Sequence, residues 1–381
     1  MRILVVPDKF KGTLSAQRAA HALVRGARKV HPEAAFVIRP IGDGGEGTVD
    51  AFVTASGGRI REVRVRGPLD ATVDAQVAVL DGGRAVIEMA SASGLALVDP
   101  DTSSALRAHT FGAGELLREA FTSPEISQII IGVGGSASTD GGTGAARAFG
   151  WRFLDRHAQE LELGGGALED LAHIERPADL VHDIELLGAC DVDNPLTGAR
   201  GSARMFAPQK GADPEAVARL ETGLQRLADV VKADLGLDVA TAASGGAGGG
   251  MGAGLVAFFG ATLRPALDLL AEVTDLEHEI SEADLVITGE GRLDEASLGG
   301  KAPIAIGRLA KRFKTPCLAV VGDLTLDNSV LRRNGIEAAI GIVQTGGGAL
   351  TDRDPEAALE KAVEGLLTIR SEKKLGRRLR R

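Results

Sequence analysis

Short apolar runs alternate with helical periodicity at both ends of the chain, and this alternation constrains the fold more than any other feature. An apolar run at residues 3–6 precedes a helical pattern over 16–27, for which Ser15 is a candidate N-cap. A strand pattern at 36–38 and a helix over 49–53 follow. From about residue 270 the rhythm returns, with strand patterns at 285–287, 318–321 and 340–343 and helices over 303–313 and 355–369. Such alternation predicts a mostly parallel sheet with helices on its faces.

The middle of the chain carries a second pattern. Between residues 63 and 79 apolar and polar residues alternate, and residues 81–83 (Asp-Gly-Gly) supply a hairpin turn. Further on lie a strand pattern at 129–131, a strand ending at Cys190 and a glycine-dense loop over 244–254. We therefore expect an α/β protein in which residues 1–60 and 270–381 form a Rossmann-like, doubly wound sheet domain. Residues 61–269 would form a large inserted α/β domain with antiparallel hairpins, and the active site would lie in the interdomain cleft.

Charge and composition exclude several function classes. The formal net charge of −9 argues against a nucleic-acid partner, which needs a basic face on the protein. The apolar runs fall short of the about 20 residues that a membrane helix needs, and the N-terminus does not read as a signal peptide. Cys190 and Cys317 are far apart and are expected to be reduced thiols. We therefore expect a cytoplasmic protein without a membrane partner, and the sequence leaves a homodimer open.

Three glycine-containing loops, at residues 8–12, 43–48 and 288–294, follow predicted strands in the terminal parts of the chain. Glycine lets backbone N–H groups approach an anion closely, and a helix N-terminus favours negative charge. Cations in or near these loops suit phosphate groups, and carboxylates suit Mg²⁺. The cations are Lys9, Lys11, Arg292 and Lys301, and the carboxylates are Asp8, Asp43, Glu290 and Asp294. We expect the three loops to meet at one edge of the parallel sheet.

The inserted region carries further polar motifs. Gly132 to Ala137 matches the form G-x-G-x-x-A and is followed by Asp155, which is a nominal dinucleotide fingerprint, although the same hydroxyl-rich loop suits a phosphate or a carboxylate. Asp191 follows a strand and is available as a general base or as a Mg²⁺ ligand, with an Asx-turn as the structural alternative. Other polar candidates are Ser91, Ser93, Ser136, Asn194 and Lys210. The sequence contains no P-loop, no G-x-S-x-G elbow and no zinc-binding motif.

Taken in order, the motifs resemble the bacterial type-1 glycerate kinase family over essentially the whole length. The matching segments are PDKFKGTLSA (7–16), DGGEGT (43–48), EMASASGL (88–95), GVGGSASTDGGTG (132–144), ACDVDNPL (189–196), APQKGA (207–212), GGAGGGMGAG (245–254), TGEGRLD (288–294) and GGKAP (299–303). The resemblance implies a cytoplasmic, Mg²⁺-dependent enzyme that phosphorylates D-glycerate with ATP. It favours the 2-hydroxyl over the 3-hydroxyl, and it implies a two-domain fold with a Rossmann-like half.

For this reaction we assign candidate roles to individual residues. The catalytic candidates are Asp191, facing the substrate hydroxyl, and the cations Lys9, Lys11 and Arg292. Candidate substrate-binding residues are Asp8, Ser91, Ser93, Ser136, Asn194 and Lys210. Candidates for binding the nucleotide and its phosphates are Gly44, Gly45, Gly47, Gly134, Gly135, Gly289, Gly291 and Lys301. Candidate metal ligands are Asp43, Glu290 and Asp294.

Two other functions are compatible with parts of the sequence. A nicotinamide-dependent oxidoreductase acting on a small hydroxy acid would use the Gly132 to Ala137 fingerprint, but it leaves the three charged glycine loops unexplained. A non-catalytic nucleotide-binding regulator would keep the glycine loops, but it would not need so many charged groups at strand ends.

Overall fold

The structure is a computed structural model that describes residues 1–10, 12–42, 44–178, 184–299, 301–342 and 354–378. The chain divides into two compact units. The first unit comprises Met1–Gly42, Asp50–Ala55 and Leu267–Arg381, and the second comprises Asp43–Val49 and Ser56–Ala266. Lys11 and Asp43 lie outside the described residues, as does Val343 at the end of the strand expected at 340–343.

Thirteen strands and fourteen α-helices are defined within the described residues. The strands are β1 (Arg2–Pro7), β2 (Ala35–Ile38), β3 (Arg59–Arg66), β4 (Thr72–Leu80), β5 (Arg84–Glu88), β6 (Gln128–Gly132), β7 (Arg152–Leu154), β8 (His173–Glu175), β9 (Glu185–Ala189), β10 (Thr262–Arg264), β11 (Leu285–Leu293), β12 (Cys317–Leu324) and β13 (Ile336–Gly341). The helices are α1 (Ala16–Val30), α2 (Thr48–Ser56), α3 (Met89–Ser93), α4 (Thr102–Arg107), α5 (Phe111–Phe121), α6 (Thr143–Arg147), α7 (Ser202–Phe206), α8 (Pro214–Leu235), α9 (Met251–Phe259), α10 (Ala266–Thr274), α11 (Leu276–Ser281), α12 (Ala302–Arg312), α13 (Asn328–Arg333) and α14 (Pro355–Arg378). Short 3₁₀ turns cover Leu95–Leu97, Gly165–Asp170, Pro208–Lys210 and Glu295–Gly299.

The first unit is built on a five-stranded sheet in which every pair is parallel, with the order β2-β1-β11-β12-β13. Side chains at alternate positions point to opposite faces. Ile3 and Val5 belong to a core shared with α1 and α14, while Leu4 and Val6 face the other way and are equally buried. The helix α12 packs against β11 and β12. The expected parallel α/β sheet is therefore confirmed, and Ser15 caps α1 as predicted by accepting from the Arg18 N–H.

Counted along this unit alone, the strand order is 2-1-3-4-5. In doubly wound sheets of this order the direction of strand succession reverses between the first and third strands. Here that switch point lies between β1 and β11. Ligands in such folds bind beyond the carboxyl ends of the strands at this point.

The second unit contains a six-stranded mixed sheet with the order β10-β9-β6-β5-β4-β3. The four strands from β10 to β5 are parallel, and β4 and β3 complete the sheet as antiparallel strands. The hairpin predicted at 81–83 is confirmed, because it joins β4 to β5. A separate two-stranded ribbon pairs β7 with β8. Apolar side chains from α5, α6, α8 and α9 form the core of this unit together with the sheet.

Two segments expected to be loops are regular structure instead. The segment at 288–294 was expected to leave the sheet after residue 287, but β11 continues to Leu293 in register with β12. Gly289 makes this possible, because it lets β11 lie close to β12. The Cβ atom of any other residue at this position would collide with the carbonyl oxygen of Val320 on β12. The expected glycine-dense loop at 244–254 likewise gives way at Met251 to the helix α9. In both cases glycine permits close packing of regular elements.

No helix within the described residues combines the length and the apolar character that crossing a bilayer requires.

The helices α1 and α14 approach each other closely at Gly26. A Cβ atom at this position would collide with the carbonyl oxygen of Glu360 and lie 2.5 Å from Val363 Cγ1. Around this crossing, Arg25 bonds Glu356 at 2.7 Å and Glu360 at 2.5 Å. Glu356 takes hydrogen bonds from Arg18 and Arg25, which hold the pKa of its carboxyl below the ordinary value. Because the arginines are about half exposed and their ion pairs lie at the surface, the close helix contact contributes more to stability than the ion pairs do.

We predict that Gly26→Ala destabilises the protein although alanine is the better helix former. The added methyl group has no space, and overpacking of this kind costs about 1–3 kcal/mol. Gly365→Ala on α14 is the matched control, because nothing lies within 4 Å of a Cβ there. Alanine at that position should stabilise the helix by about 0.5–1 kcal/mol. Urea unfolding of both variants measures the difference, and equal effects of the two substitutions would contradict the close contact.

Candidate active site

Asp8 is the first residue after β1 and lies at the switch point of the first sheet. Its backbone N–H donates to the carbonyl oxygen of Gly289 at 2.8 Å, which extends the pairing of β1 with β11 by one residue. Asp8 is 6% exposed, and its Oδ1 accepts from the Lys9 N–H at 2.6 Å. A carboxylate and a lysine therefore occupy the end of the sheet at which ligands bind in this class of fold.

A pair of carboxylates lies on the neighbouring strand. Glu290 follows Gly289 on β11 and is buried, and Asp294 follows the end of that strand. Ser297 connects the two, because its Oγ lies 3.3 Å from Glu290 Oε1 and 3.1 Å from Asp294 Oδ1. The Ser297 N–H also donates to Asp294 Oδ1 at 3.1 Å, and the Asp294 N–H donates back to Ser297 Oγ at 3.1 Å. This reciprocal pair fixes the position of Asp294, and the one hydroxyl hydrogen of Ser297 lies within reach of either acid.

Asp294 is held in its ionised form. Burial opposes the charge, but the Ser297 hydrogen bonds and the charges of Lys301 and Arg292 outweigh it and hold the pKa of the Asp294 carboxyl below its ordinary value. Arg292 Nε lies 3.2 Å from Asp294 Oδ2 and 3.6 Å from Asp323 Oδ2. The Arg292 side chain is 62% exposed, so its guanidinium remains accessible. The first unit thus combines an ionised aspartate with accessible cations at the carboxyl end of β11.

The segment at 43–48 was expected beside the first sheet, but its described residues lie against the second. The carbonyl oxygen of Gly44 accepts from the Gly134 N–H at 2.9 Å. A Cβ at Gly44 would lie 2.6 Å from the Ala189 oxygen, and one at Gly134 would lie 2.9 Å from the Gly45 backbone. The glycines therefore pack backbone against backbone at the carboxyl ends of β6 and β9. That the three charged loops meet at one edge of the parallel sheet stays a prediction.

The other glycine candidates lie in different surroundings. Gly47 has a positive φ and open space around it, and the Gly135 carbonyl oxygen accepts from the Leu95 N–H at 2.9 Å. Gly289 and Gly291 are strand residues on β11, and Gly291 is partly exposed. Lys301 is exposed at the N-terminus of α12.

Several polar candidates of the second unit are brought together after β5 and β6. Ser91 and Ser93 lie on α3, and the Ser93 carbonyl oxygen accepts from the Ala137 N–H at 2.9 Å. Lys210, from the turn Pro208–Lys210, donates from Nζ to Ser136 Oγ at 2.8 Å and to the Ser138 carbonyl oxygen at 2.5 Å. Lys210 is 2% exposed. Burial lowers its pKa to about 7, although the nearby Asp140 charge partly offsets that effect.

Asp191 and Asn194 follow β9 but differ in exposure and in their contacts. Asp191 is exposed, and its Oδ1 accepts from the Ala266 N–H at 3.0 Å. Asn194 is buried and donates from Nδ2 to the carbonyl oxygen of Arg200 at 2.8 Å. Asn194 therefore stabilises the loop over 194–200, whereas Asp191 presents an accessible carboxylate at a strand end.

Sequence reasoning assigned no role to three polar groups, two of them buried and one, Glu88, half-buried. Ser297 joins Glu290 to Asp294, and the spacing D-x-x-S is the pattern from which such a reciprocal turn could have been predicted. Asp140 is fully buried and accepts from the Thr110 hydroxyl at 2.8 Å and from three backbone N–H groups. Glu88 accepts from the Val49 N–H at 2.7 Å. Nothing local in the sequence indicates these two long-range contacts.

The dinucleotide fingerprint does not have the structure that its motif requires. After Gly132 the chain forms turns, and the helix that follows, α6, is only five residues long. Asp155 is partly exposed in a turn after β7, where its Oδ1 accepts from the N–H groups of His157 and Gln159. A dinucleotide site would need the acid at the end of a neighbouring strand of the same parallel sheet, but β7 belongs to the separate ribbon.

Within the described residues, no three His, Cys, Asp or Glu side chains form a group that could hold a metal ion by themselves. Cys190 and Cys317 are buried free thiols, and burial raises the pKa of each to about 12.

Comparisons with known proteins agree over nearly the whole chain. A model of the glycerate kinase family matches residues 3–370. The glycerate 2-kinase of Escherichia coli K12 is 41% identical over 346 residues, which cover 90% of this chain and 91% of that protein. The glycerate kinase of Bacillus subtilis 168 is also 41% identical over 346 residues, covering 90% of each chain.

The fold has a counterpart among solved structures. The crystal structure of a "putative glycerate kinase 2" from Salmonella typhimurium LT2 superposes with a TM-score of 0.81 at 40% identity, covering 98% of this chain and 99% of that chain. The nicotinamide-dependent alternative receives no support from these relatives or from the position of Asp155. The length of the family match and the level of identity show that the chain belongs to the glycerate kinase family.

Proposed function

We propose that this protein transfers the γ-phosphoryl group of ATP to D-glycerate, at the 2-hydroxyl, and releases 2-phospho-D-glycerate and ADP. The observation that carries the proposal is the family match over residues 3–370, joined by 41% identity to a glycerate 2-kinase across nine-tenths of the chain. The polar groups of the site suit this reaction, since phosphoryl transfer depends on positioning and charge neutralisation.

In the proposed reaction the hydroxyl oxygen of glycerate attacks the γ-phosphorus as the bond to the β,γ-bridging oxygen breaks. The hydroxyl proton passes to the Asp191 carboxylate, which is accessible at the end of β9. Lys9 and Lys11 would counter the charge on the transferring group. Arg292 would bind a phosphate or the glycerate carboxylate, for which its planar fork of donors is suited.

The acids on the first unit fit a magnesium ion. Mg²⁺ in kinases is held by one or two carboxylates together with substrate phosphates and water, and Glu290 and Asp294 form such a pair around Ser297. The lowered pKa of Asp294 means that its carboxylate stays ionised to a lower pH than an ordinary aspartate. Asp43 is a third candidate ligand. When bound, the ion would neutralise charge on the nucleotide phosphates.

The proposed function is tested by ³¹P NMR of the product made from D-glycerate and Mg-ATP. We expect a single phosphomonoester that matches 2-phosphoglycerate. A product matching 3-phosphoglycerate would contradict the regiochemistry alone. If ADP and phosphoglycerate do not accumulate while ATP still raises the melting temperature, the protein is a non-catalytic nucleotide-binding regulator.

We predict that Lys9→Met lowers kcat by about 10²–10³, the usual effect of losing one preorganised donor to a charged transition state. Lys29→Met is the matched control, because the Lys29 side chain is about half exposed and forms ion pairs with Glu360 and Glu364 on α14. A coupled ADP assay at saturating glycerate measures both variants. Wild-type turnover in Lys9→Met would remove Lys9 from the catalytic set.

We predict that Asp191→Asn lowers kcat by about 10²–10⁴, the range expected for loss of a general base. The amide oxygen of asparagine can still accept the Ala266 N–H, so the local structure should persist. Asp193→Asn serves as the control two residues away, where an exposed carboxylate pairs with Arg200. Equal kcat values for the two variants would contradict the role of Asp191.

We predict that Glu290→Gln raises the Mg²⁺ concentration for half-maximal activity by about tenfold, because one anionic oxygen ligand is lost. Glu295→Gln changes an exposed carboxylate nearby and should leave the magnesium dependence unaltered. Initial rates across a magnesium titration at fixed ATP give the comparison. An unchanged titration for Glu290→Gln would exclude Glu290 as a ligand.

A further inference from the structure

The segment after β6, residues 133–138, is held in place by an ammonium group from a distant part of the chain. Its backbone bonds Gly44, Ser93 and Leu95. Among the described residues, Lys210 is the charged side chain that hydrogen-bonds to this segment. Its Nζ donates to Ser136 Oγ at 2.8 Å and to the Ser138 carbonyl oxygen at 2.5 Å. Both acceptors are neutral. The Lys210 ammonium therefore has no ion-pair partner within the part of the chain that the structure describes.

Stability does not explain this lysine. Burying an ammonium group without a carboxylate partner is unfavourable, and an apolar side chain of similar volume would avoid that cost. Asp140 acts on Lys210 only through its charge, because the Asp140 oxygens already accept from Thr110, Gly142 and Gly144. The lowered pKa of Lys210 is the expected consequence of such burial. A group that destabilises the fold is a candidate for a role in function.

The ammonium determines what the Ser136 hydroxyl can do. A protonated lysine only donates hydrogen bonds, so at pH values below the pKa of about 7, where Lys210 carries its proton, Ser136 Oγ must accept from it. The serine hydrogen is then left to donate elsewhere. The nearest acceptor for the Ser136 hydroxyl among the described residues is the Ser138 carbonyl oxygen, 3.5 Å from Ser136 Oγ. That oxygen already accepts from Lys210 Nζ at 2.5 Å. The distance of 3.5 Å is too long for a good O–H bond. Ser136 therefore carries a hydroxyl hydrogen that is set to donate.

Two further buried hydroxyls, on Ser93 and Ser138, also have a hydrogen available to donate. Ser93 Oγ and Ser138 Oγ are buried and find no hydrogen-bond partner among the described residues. Ser93 and Ser136 lie on adjacent segments, joined by the bridge between Gly94 and Ser136. The cluster thus offers O–H donors and an ammonium but no free carboxylate. Such a donor set suits the anionic end of a substrate, whereas the reacting hydroxyl needs a proton acceptor.

We propose that Lys210 is a positioning residue, whose ammonium orients the Ser136 hydroxyl to donate a hydrogen bond to the carboxylate of glycerate. The inference rests on the proposed function, and it concerns how that site recognises its acid substrate. Lys210 acts through Ser136, and the two residues form one unit.

The test is Lys210→Met, with Lys232→Met as the matched control on an exposed ion pair with Asp238. We expect the KM for D-glycerate to rise about tenfold or more in Lys210→Met, the effect of losing one well-placed bond to a charged group. The KM for ATP should change by less than about threefold. The melting temperature should stay equal or rise, because a buried unpaired charge is removed. Lys232→Met should leave both KM values unchanged.

Ser136→Ala provides a second variant that keeps the lysine. It should raise the KM for glycerate to a similar extent, and the double variant should lose no more than about threefold beyond the larger single loss, because the two residues act through one contact. Additive losses would overturn the proposal. A lower melting temperature with an unchanged KM for glycerate would also overturn it, since Lys210 would then be structural. If the wild-type protein does not phosphorylate glycerate, the proposed function itself fails, which this assay separates from a failure of the Lys210 role.

Discussion

The parallel pairing of β1 with β11 is the interaction on which the first unit depends. It joins residues about 280 positions apart, from Ile3 opposite Leu285 to Pro7 opposite Gly289. The pairing buries apolar side chains on both faces of the sheet, and it brings the N-terminal segment into the sheet formed by the C-terminal part of the chain. Without it, Asp8 after β1 and Glu290 within β11 would have no reason to lie on neighbouring strands. The switch point of the sheet, and with it the ligand-binding edge, is a consequence of this one contact.

The second unit depends on close backbone packing at glycines, as the first unit depends on the pairing of β1 with β11. Gly44, Gly132 and Gly134 leave no space for side chains between the segment after residue 43 and the ends of β6 and β9. Glycine there brings carbonyl and N–H groups into direct contact, as in the bond from Gly134 to Gly44. Packing therefore explains part of the high glycine content of the chain, which has 51 glycines. The proposed phosphate-binding role fits best the glycines with open space around them, such as Gly47.

Buried polar groups separate structural from functional roles. Asp140 is fully satisfied by four hydrogen bonds, and Asn194 closes a loop, so both are accounted for by the fold. Lys210 differs, because the hydrogen bonds of its buried ammonium to described residues go to neutral acceptors. Glu290 and Asp294 differ in another way, since two carboxylates share one serine. When a buried arrangement lowers the stability of the fold, a role in binding or catalysis is the best explanation for it.

The sequence by itself determined the α/β class, the parallel character of the first sheet, the hairpin between β4 and β5 and the cap at Ser15. These features depend on local periodicity and turn chemistry, which neighbouring residues encode. The nine ordered motifs also pointed to the family that the comparisons establish. Only the tertiary structure decided that β11 runs through Leu293, that the segment after residue 43 packs on the second sheet, and that Ser297 and Lys210 contact Glu290 and Ser136. Each of these depends on contacts across a strand pair or a turn, and the residues involved carry no local signal of their partners. A glycine beside a charged residue has the same local sequence pattern in a loop and in a strand. The atoms that pack against it in the folded protein decide which of the two structures it adopts.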